Sequence, residues 1–249
     1  MQIAKTDTRV SCPIVCGENM RATGFFFEAG GQDYLITARH NVLPTDATKL
    51  ATGKFQFDYQ EKDVRSEIDI YLREDSTFKV KNLNLSDKEG IIANKNIDCV
   101  GIPINFAPEE YGYTSWKEKD ITKPEDTSST LDIIGFPGPS FPSTTVYDID
   151  RYAEEIDYPY VLSVQNQHGN SNLSQSKLGL IGLGSNLNQN TNCDYEGLSG
   201  SPVLGDGLVG IHFMEFKTKV KNPTTGETSY IDATAYVNAG VLKQAFEST

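Results

Sequence analysis

Short apolar runs, many of them rich in β-branched and aromatic residues, alternate with Gly, Pro, Asn and Ser along most of this 249-residue chain. Runs of this length between turn-forming residues are typical of β-strands. The segment 238–246 differs, because its apolar residues recur at helical spacing behind Asn238, a residue type that favours helix N-caps. Many short strands with one terminal helix predict an all-β barrel or sandwich.

The predicted strands fall into two sets. They cover 10–16, 23–28, 34–37, 55–59, 68–73, 78–80 and 97–104 in the first set, and 131–135, 160–165, 177–181, 201–204, 208–213 and 230–237 in the second. Between the sets, charged groups at 117–120 and 124–126 interrupt any hydrophobic periodicity. The sequence therefore predicts two β domains, 1–112 and 131–249, joined by a linker at 113–130.

The net charge of −12 argues against two classes of partner. Nucleic-acid backbones and anionic membrane surfaces both attract positive charge, so we expect neither to bind. No run approaches the roughly 18 apolar residues of a membrane span. The polar residues 1–7 lead into no apolar stretch of the kind that secretory signals carry. These features predict a cytoplasmic protein.

The cysteine pattern agrees with a reducing compartment. The four cysteines are Cys12, Cys16, Cys99 and Cys193, and no second ligand pair accompanies Cys12 and Cys16 as a zinc site would require. We expect buried free thiols, with a disulfide between Cys12 and Cys16 as the alternative. The sequence implies no metal ion and no organic cofactor.

One serine lies between two glycines, in the stretch 194–204 with the order Asp-Tyr-Glu-Gly-Leu-Ser-Gly-Ser-Pro-Val-Leu. Gly197 permits a backbone turn that can aim consecutive N–H groups at one point, where they stabilise a developing oxyanion. Ser199 would be the nucleophile at that point. The order does not fit the Gly-x-Ser-x-Gly elbow of α/β-hydrolases, because position 201 is serine.

Three motifs, in the order His, Asp, Ser, resemble those of trypsin/chymotrypsin-like serine peptidases. Around Ser199, the order Gly-Leu-Ser-Gly-Ser-Pro resembles the family's Gly-x-Ser-Gly-Gly/Ser-Pro. The hairpin-like segment 23–42 is similar to the family segment that ends in Ala-Ala-His, and it puts His40 at a strand exit, with Arg39 as a departure. Asp98 lies in Ile-Asp-Cys-Val-Gly-Ile, which resembles the strand that opens with the family's aspartate.

This resemblance spans residues 10–237 and implies a chymotrypsin-like double β-barrel with a short C-terminal helix. It also implies a serine endopeptidase that acts on polypeptide substrates. His40 would accept the proton of Ser199, and Asp98 would orient His40. The backbone N–H groups of Gly197 and Ser199 would form the oxyanion hole.

Two positions qualify this assignment. Asp69, in an alternating strand-like run, is a second candidate for the carboxylate that orients His40. Leu198 occupies the position at which digestive members of the family have an aspartate that pairs with a newly freed N-terminus. We therefore expect no zymogen cleavage of that kind, which agrees with the bacterial and viral branches.

The predicted substrate pocket allows two specificities. The run Gly-Ile-His that ends at His212 resembles the pocket strand of glutamyl endopeptidases and some viral peptidases, in which the histidine contacts an acidic or Gln side chain. This implies Glu or Gln before the cut. Asp194, on the opposite wall, would instead repel Glu and attract Lys or Arg. Backbone groups from Phe213 to Glu215 would pair with an extended substrate.

Two other readings of the motifs remain open. One is a catalytically silent peptide-binding or scaffold module, in which a loop withholds the oxyanion hole. The other is a capsid-like or adhesive β-protein, which would leave His40 far from Ser199. All three triad residue types are present, which favours catalysis. A peptidase inside a cell needs restraint, so we expect narrow specificity or control by a regulatory protein partner.

Overall fold

The structure is a computed structural model, and strands dominate the part of the chain that it describes. It describes residues 9–17, 20–43, 45–49, 55–59, 65–74, 77–85, 92–93, 97–137, 159–167, 181–186, 195–221 and 224–247. The first strands are β1 (Cys12–Cys16), β2 (Met20–Ala29), β3 (Gln32–Thr37), β4 (Thr45–Lys49), β5 (Phe55–Tyr59), β6 (Glu67–Glu74), β7 (Thr77–Asn84), β8 (Ile92–Ala93) and β9 (Val100–Pro103). The later strands are β10 (Ser115–Lys117), β11 (Thr130–Gly135), β12 (Tyr160–Asn166), β13 (Ile181–Asn186), β14 (Pro202–Leu204), β15 (Leu208–Lys221) and β16 (Thr228–Asn238). The helices are α1 (Arg39–Val42) and α2 (Gly240–Glu247), with 3-10 turns at Pro108–Tyr111, Glu118–Asp120 and Pro124–Asp126.

The N-terminal strands form one curled sheet in the order β7-β6-β1-β2-β3-β9-β8, with β4 and β5 as a separate pair. Its core contains Ile14, Phe26, Leu35 and Ile70, all essentially inaccessible to solvent. The predicted hairpin between β2 and β3 is confirmed by its pairing, and Gly30 and Gly31 make its two-residue turn with φ values of +59° and +80°. Positive φ at both turn residues suits the type I′ turn that matches the twist of paired strands.

The C-terminal strands close into a barrel in the order β11-β12-β13-β16-β15-β14. Its interior is filled by buried apolar side chains that include Ile133, Leu162, Val203 and Val209. Because β15 and β16 pair from Gly210 and Asn238 out to Lys221 and Thr228, their ladder continues past the short strand β14.

The two halves pack against each other through a shared apolar cluster. The helix α2 contributes Phe246, whose ring stacks on Phe27 of the first sheet at 5.5 Å between centroids. Strand β10, within the predicted linker, pairs in parallel with β2. The all-β architecture of two curled sheets followed by a short C-terminal helix is as predicted. Asn238 Oδ1 accepts the N–H of Gly240 at 2.8 Å, so Asn238 caps this helix.

One predicted strand begins later than expected, and another is described only from its last predicted residue onwards. The strand predicted at 97–104 starts only at Val100, so Asp98 precedes the strand instead of lying within it. The strand predicted at 177–181 starts at Ile181 and runs on to Asn186, and residues 177–180 lie outside the described residues.

The described cysteines are free and buried, as predicted. Cys12, Cys16 and Cys99 form no disulfide, so the alternative pairing of Cys12 with Cys16 is wrong. Burial raises the pKa of the Cys16 thiol to about 12 and raises those of the other two further, which keeps them protonated and unreactive. Cys193 lies outside the described residues. In the described parts of the chain, no helix has the length and apolarity needed to cross a bilayer.

Candidate active site

His40 and Asp98 meet at the edge of the first sheet. The chain leaves β3 at Thr37 and turns into the one-turn helix α1, which presents His40 at the strand exit. His40 Nδ1 lies 2.6 Å from Asp98 Oδ2, and the backbone N–H of His40 donates to Asp98 Oδ1 at 2.9 Å. A carboxylate oxygen accepts hydrogen bonds, so Nδ1 is the ring nitrogen that donates to Asp98.

The burial of this pair is unequal. The Asp98 side chain is completely buried, whereas 19% of the His40 side chain is exposed. The imidazole is thus bound through Nδ1 to a buried carboxylate and remains partly exposed. Asp69, the second candidate, lies on β6, where its Oδ1 accepts a hydrogen bond from Asn82 at 2.8 Å. The structure therefore brings Asp98, and not Asp69, to His40.

Two consecutive tight turns carry the predicted nucleophile. The N–H of Leu198 donates to the carbonyl of Tyr195, and the N–H of Ser201 donates to the carbonyl of Leu198, each at 3.0 Å. Gly197 and Gly200 hold the third position of these turns with φ values of +99° and +93°. That position in a type II turn needs positive φ, which favours glycine. The two glycines therefore make the double turn possible.

Ser199 lies at the centre of this double turn, beside helix α1. Asn41, which follows His40 in the chain, donates from Nδ2 to the carbonyl of Ser199 at 2.9 Å. The Ser199 hydroxyl donates to the carbonyl of Phe213 at 3.3 Å, and among the hydrogen bonds of the described residues none joins Ser199 to His40. The structure thus brings the serine next to the His40 helix with its hydroxyl turned towards β15.

His212 occupies a buried position behind the serine turn. Only 2% of its side chain is exposed, Nδ1 donates to the carbonyl of Leu198 at 3.2 Å, and Nε2 lies 3.5 Å from Glu215 Oε1. Burial, with a smaller contribution from nearby His40, lowers the pKa of His212 to about 4. The hydrogen bond to the Leu198 carbonyl acts in the opposite direction. The imidazole is therefore neutral at pH 7.

Of the other predicted pocket residues, the structure describes Phe213 and Glu215. Phe213 is buried on β15, two positions before Glu215, whose side chain is 29% exposed. Asp194 lies outside the described residues. Strand β15 therefore contributes one neutral imidazole and one carboxylate to the neighbourhood of Ser199.

Sequence reasoning missed three buried polar residues around the serine turn. Thr23, Thr37 and Asn41 are fully buried, and each hydrogen-bonds either to the turn or to another of the three. The sequence feature that could have indicated them is a polar side chain in or next to the apolar hairpin that leads to His40. Polar side chains buried in a hairpin need partners, and for Thr23 and Asn41 these include carbonyls of the double turn, more than 150 positions away.

Comparison with known proteins gives a fold and no family. No family model matches the sequence, and no curated protein matches it. The crystal structure of the protease Anisep from Arthrobacter nicotinovorans is similar over 98% of this chain and 97% of its own, with 10% identity and a TM-score of 0.51. A structure of the HtrA-type protease AlgW with a tripeptide is similar over 97% of this chain, with 11% identity and a TM-score of 0.49, and this chain spans 60% of it. Deg5 is similar over 84% of this chain and 81% of its own, with 14% identity and a TM-score of 0.45.

The similarity to Anisep supports the predicted fold class. It extends over nearly the whole of both chains, and the order of the strands agrees with two β-barrels in succession. The chain has a chymotrypsin-like double β-barrel fold. At this level of identity the likeness concerns the fold alone, because one fold can carry many functions and the chemistry depends on the residues of the site.

Proposed function

We propose that the protein is a serine endopeptidase that hydrolyses peptide bonds through Ser199, His40 and Asp98. The observation that carries the proposal is the pair of hydrogen bonds from His40, through Nδ1 and its backbone N–H, to the buried carboxylate of Asp98. This arrangement leaves Nε2 as the ring nitrogen that could accept the serine proton. A general base held in this way beside a serine supports acyl transfer.

The proposed reaction has two stages, acylation of Ser199 and hydrolysis of the acyl-enzyme, and the same groups act in both. Ser199 Oγ attacks the scissile carbonyl while His40 Nε2 takes its proton, and the same imidazole then gives that proton to the leaving amine. Asp98 stabilises the imidazolium that forms in between. The N–H groups of Gly197 and Ser199 donate to the oxyanion. Water then repeats the sequence on the acyl-enzyme and releases the second product.

One rotation precedes the first step. The Ser199 hydroxyl has to leave the carbonyl of Phe213 and turn about χ1 towards His40. Catalytic hydrogen bonds of this kind often form only when substrate is present. A substrate strand that binds along β15 would compete for the same Phe213 carbonyl and so favour the rotation.

We also infer a preference for Gln or Glu before the cut, with Gln favoured. The support is the resemblance of the Gly-Ile-His run to glutamyl-specific pockets, together with the position of His212 behind the nucleophile turn. Glu215 puts a carboxylate 3.5 Å from His212 Nε2, and its charge would oppose a substrate Glu more than a neutral Gln.

A silent peptide-binding module is the second candidate function. The observation that favours it is the Ser199 hydroxyl, which donates to Phe213 instead of to His40. A serine locked in this rotamer would not be activated. Labelling with a fluorophosphonate distinguishes the two, since only a serine activated by His40 reacts rapidly.

The deciding experiment compares wild type with Ser199→Ala on a diverse peptide library, read by mass spectrometry. We expect cuts that disappear in Ser199→Ala and persist in Ser163→Ala, which removes a hydroxyl bonded to Asp132 in the same barrel. The expected loss in kcat is about 10⁶-fold. Cuts that survive in Ser199→Ala would disprove the proposal, and broad digestion of unfolded casein would contradict narrow specificity.

A further inference from the structure

The nucleophile turn is held by its carbonyl oxygens. The carbonyl of Gly197 accepts from Thr23 Oγ1 at 2.8 Å, and the carbonyl of Ser199 accepts from the Thr23 N–H at 3.1 Å and from Asn41 Nδ2 at 2.9 Å. Thr23 and Asn41 belong to the first sheet and its following helix, so these bonds cross between the two barrels. Three donors of the first barrel therefore bind the turn of the second.

The carbonyl between them is held from within the second barrel. The Leu198 carbonyl accepts from the N–H of Ser201 at 3.0 Å, from the Ser201 hydroxyl at 2.6 Å and from His212 Nδ1 at 3.2 Å. In a planar trans peptide the C=O and the following N–H point in opposite directions. Holding the Leu198 oxygen inward therefore directs the N–H of Ser199 outward.

The donors on the first barrel are themselves oriented. Thr23 Oγ1 accepts the N–H of Phe136 at 2.9 Å, so its own proton is left to go to Gly197. Thr37 Oγ1 accepts from Asn41 Nδ2 at 2.9 Å and donates to the carbonyl of Thr23 at 2.7 Å. Each hydroxyl thus has one donor and one acceptor, which determines the direction of its proton.

Close approach of the barrels depends on Gly200. A Cβ atom at this position would lie 2.0 Å from the carbonyl oxygen of Thr23 and 2.3 Å from Thr37 Oγ1. Any other residue would push the turn away from its donors. This contact between the two barrels therefore requires glycine at position 200.

The N–H groups that remain are the ones that the reaction needs. The N–H groups of Gly197 and Ser199 have no acceptor among the described residues, whereas those of Leu198 and Gly200 donate to the carbonyls of Tyr195 and His212. The three carbonyls are satisfied on one side, and two N–H groups stay available on the other. This is the donor pair expected of an oxyanion hole.

We propose that Thr23 and Asn41 are positioning residues that hold the oxyanion hole in its working conformation from the opposite barrel. The inference rests on the proposed peptidase function. Leu198 is buried and occupies the position at which an aspartate would form an ion pair. The proposal accounts for the absence of that ion pair, because neutral hydrogen bonds from Thr23 and Asn41 hold the turn instead.

The test uses Thr23→Val, which keeps the shape of the side chain and removes the donor to Gly197, and Thr23→Ser, which restores the donor. We expect kcat to fall about 10- to 100-fold in Thr23→Val with KM unchanged, since one oxyanion donor contributes on the order of 100-fold. Thr23→Ser should stay within about threefold of wild type. Asn41→Leu, which removes the second side-chain donor, should also lower kcat and leave KM unchanged.

Ser115→Ala is the matched control, because it removes a buried hydroxyl that donates to Asp33, away from the turn. It should leave kcat unchanged, and thermal melts of each variant identify those that are folded. A peptide aldehyde that mimics the tetrahedral intermediate should lose affinity in parallel with kcat, which general loosening would not produce. Unchanged kcat in folded Thr23→Val, or a rise in KM alone, would overturn the proposal.

Failure of the peptidase proposal would be seen separately, as a wild type that hydrolyses nothing. In that case the ¹⁵N amide resonances of Gly197 and Ser199 decide the inference. Thr23→Val should broaden or double them and Thr23→Ser should not. Resonances that are identical in all three proteins would show that Thr23 does not hold the turn.

Discussion

Two histidine–carboxylate pairs lie on the two sides of Ser199, and their burial is inverted. In the first, Asp98 is completely buried 2.6 Å from His40, which is 19% exposed. In the second, His212 is 2% exposed and its Nε2 lies 3.5 Å from Glu215, which is 29% exposed. The same two functional groups thus occur with the carboxylate inside in one pair and the imidazole inside in the other.

The difference separates a reacting imidazole from a structural one. A buried carboxylate that binds Nδ1 does not engage Nε2, so in the proposed mechanism this second nitrogen can exchange a proton with the serine. A buried imidazole is costly to charge, so His212 stays neutral and serves as a hydrogen-bond donor to Leu198. Three measurements sharpen or break this contrast, and they follow in order of expected effect.

The largest effect should come from Asp98→Asn. An amide donates to Nδ1 as readily as it accepts, so His40 loses the tautomer that leaves Nε2 basic, and kcat should fall by about 10⁴-fold. Asp69→Asn is the matched control, because it neutralises the other candidate carboxylate, which binds Asn82. If Asp69→Asn carried the loss instead, the geometric assignment of the pair would be wrong.

A smaller effect is expected for the stability of the protein against acid, through His212 of the second pair. The pKa of His212 is about 4 in the folded protein, against the ordinary histidine value of 6.5 that applies to the unfolded chain, so between these values the unfolded chain binds a proton that the folded chain does not. Stability therefore falls as the pH drops from about 6.5 to about 4, by on the order of 3 kcal/mol from this group.

His212→Asn tests this contribution, since its amide can still donate to Leu198 and does not titrate. Urea unfolding at several pH values should give the variant a smaller loss of stability on acidification than wild type. The difference between the two curves removes the contribution of other titrating groups. Parallel curves would mean that folding leaves the pKa of His212 at its ordinary value, and the contrast with His40 would fail.

The smallest effect should come from Glu215→Gln. Removing the charge beside His212 should raise kcat/KM for peptides with Glu before the cut relative to those with Gln, by about tenfold, which corresponds to about 1.4 kcal/mol. Glu227→Gln neutralises an exposed carboxylate at the end of the β15–β16 hairpin and serves as the control. An unchanged Glu-to-Gln ratio in Glu215→Gln would place that carboxylate outside the pocket.

Local sequence patterns were sufficient for most of the fold. The alternation of apolar runs with turn residues predicted the hairpin at Gly30 and Gly31, the terminal helix behind Asn238 and most strands of both barrels. These features depend on residues within a few positions of one another, so they can be read from a single stretch of chain. Strand ends were less accurate, and β15 extends eight residues past its predicted end at Phe213.

The site divides along the same line. Short motifs identified His40 and Ser199 as candidates. They did not decide between Asp69 and Asp98, because an aspartate can stand at the start of a strand, as predicted for Asp98, or alternate with apolar residues along a strand, as at Asp69. Only the folded sheet shows that Asp98 reaches His40, 58 positions away, while Asp69 faces Asn82. The choice follows from the pairing of β3 with β9, which is a contact between distant segments.

Sequence patterns thus specified which residues could carry chemistry, and tertiary structure decided which of them meet. Thr23, Asn41 and His212 are single polar residues within or beside apolar strands, and the carbonyls that Thr23 and Asn41 bind in the nucleophile turn are more than 150 positions away. Their partners are the carbonyls of Gly197, Leu198 and Ser199. Buried donors must find acceptors, and in a fold of two barrels those acceptors come from the other half of the chain or from a distant turn of the same half.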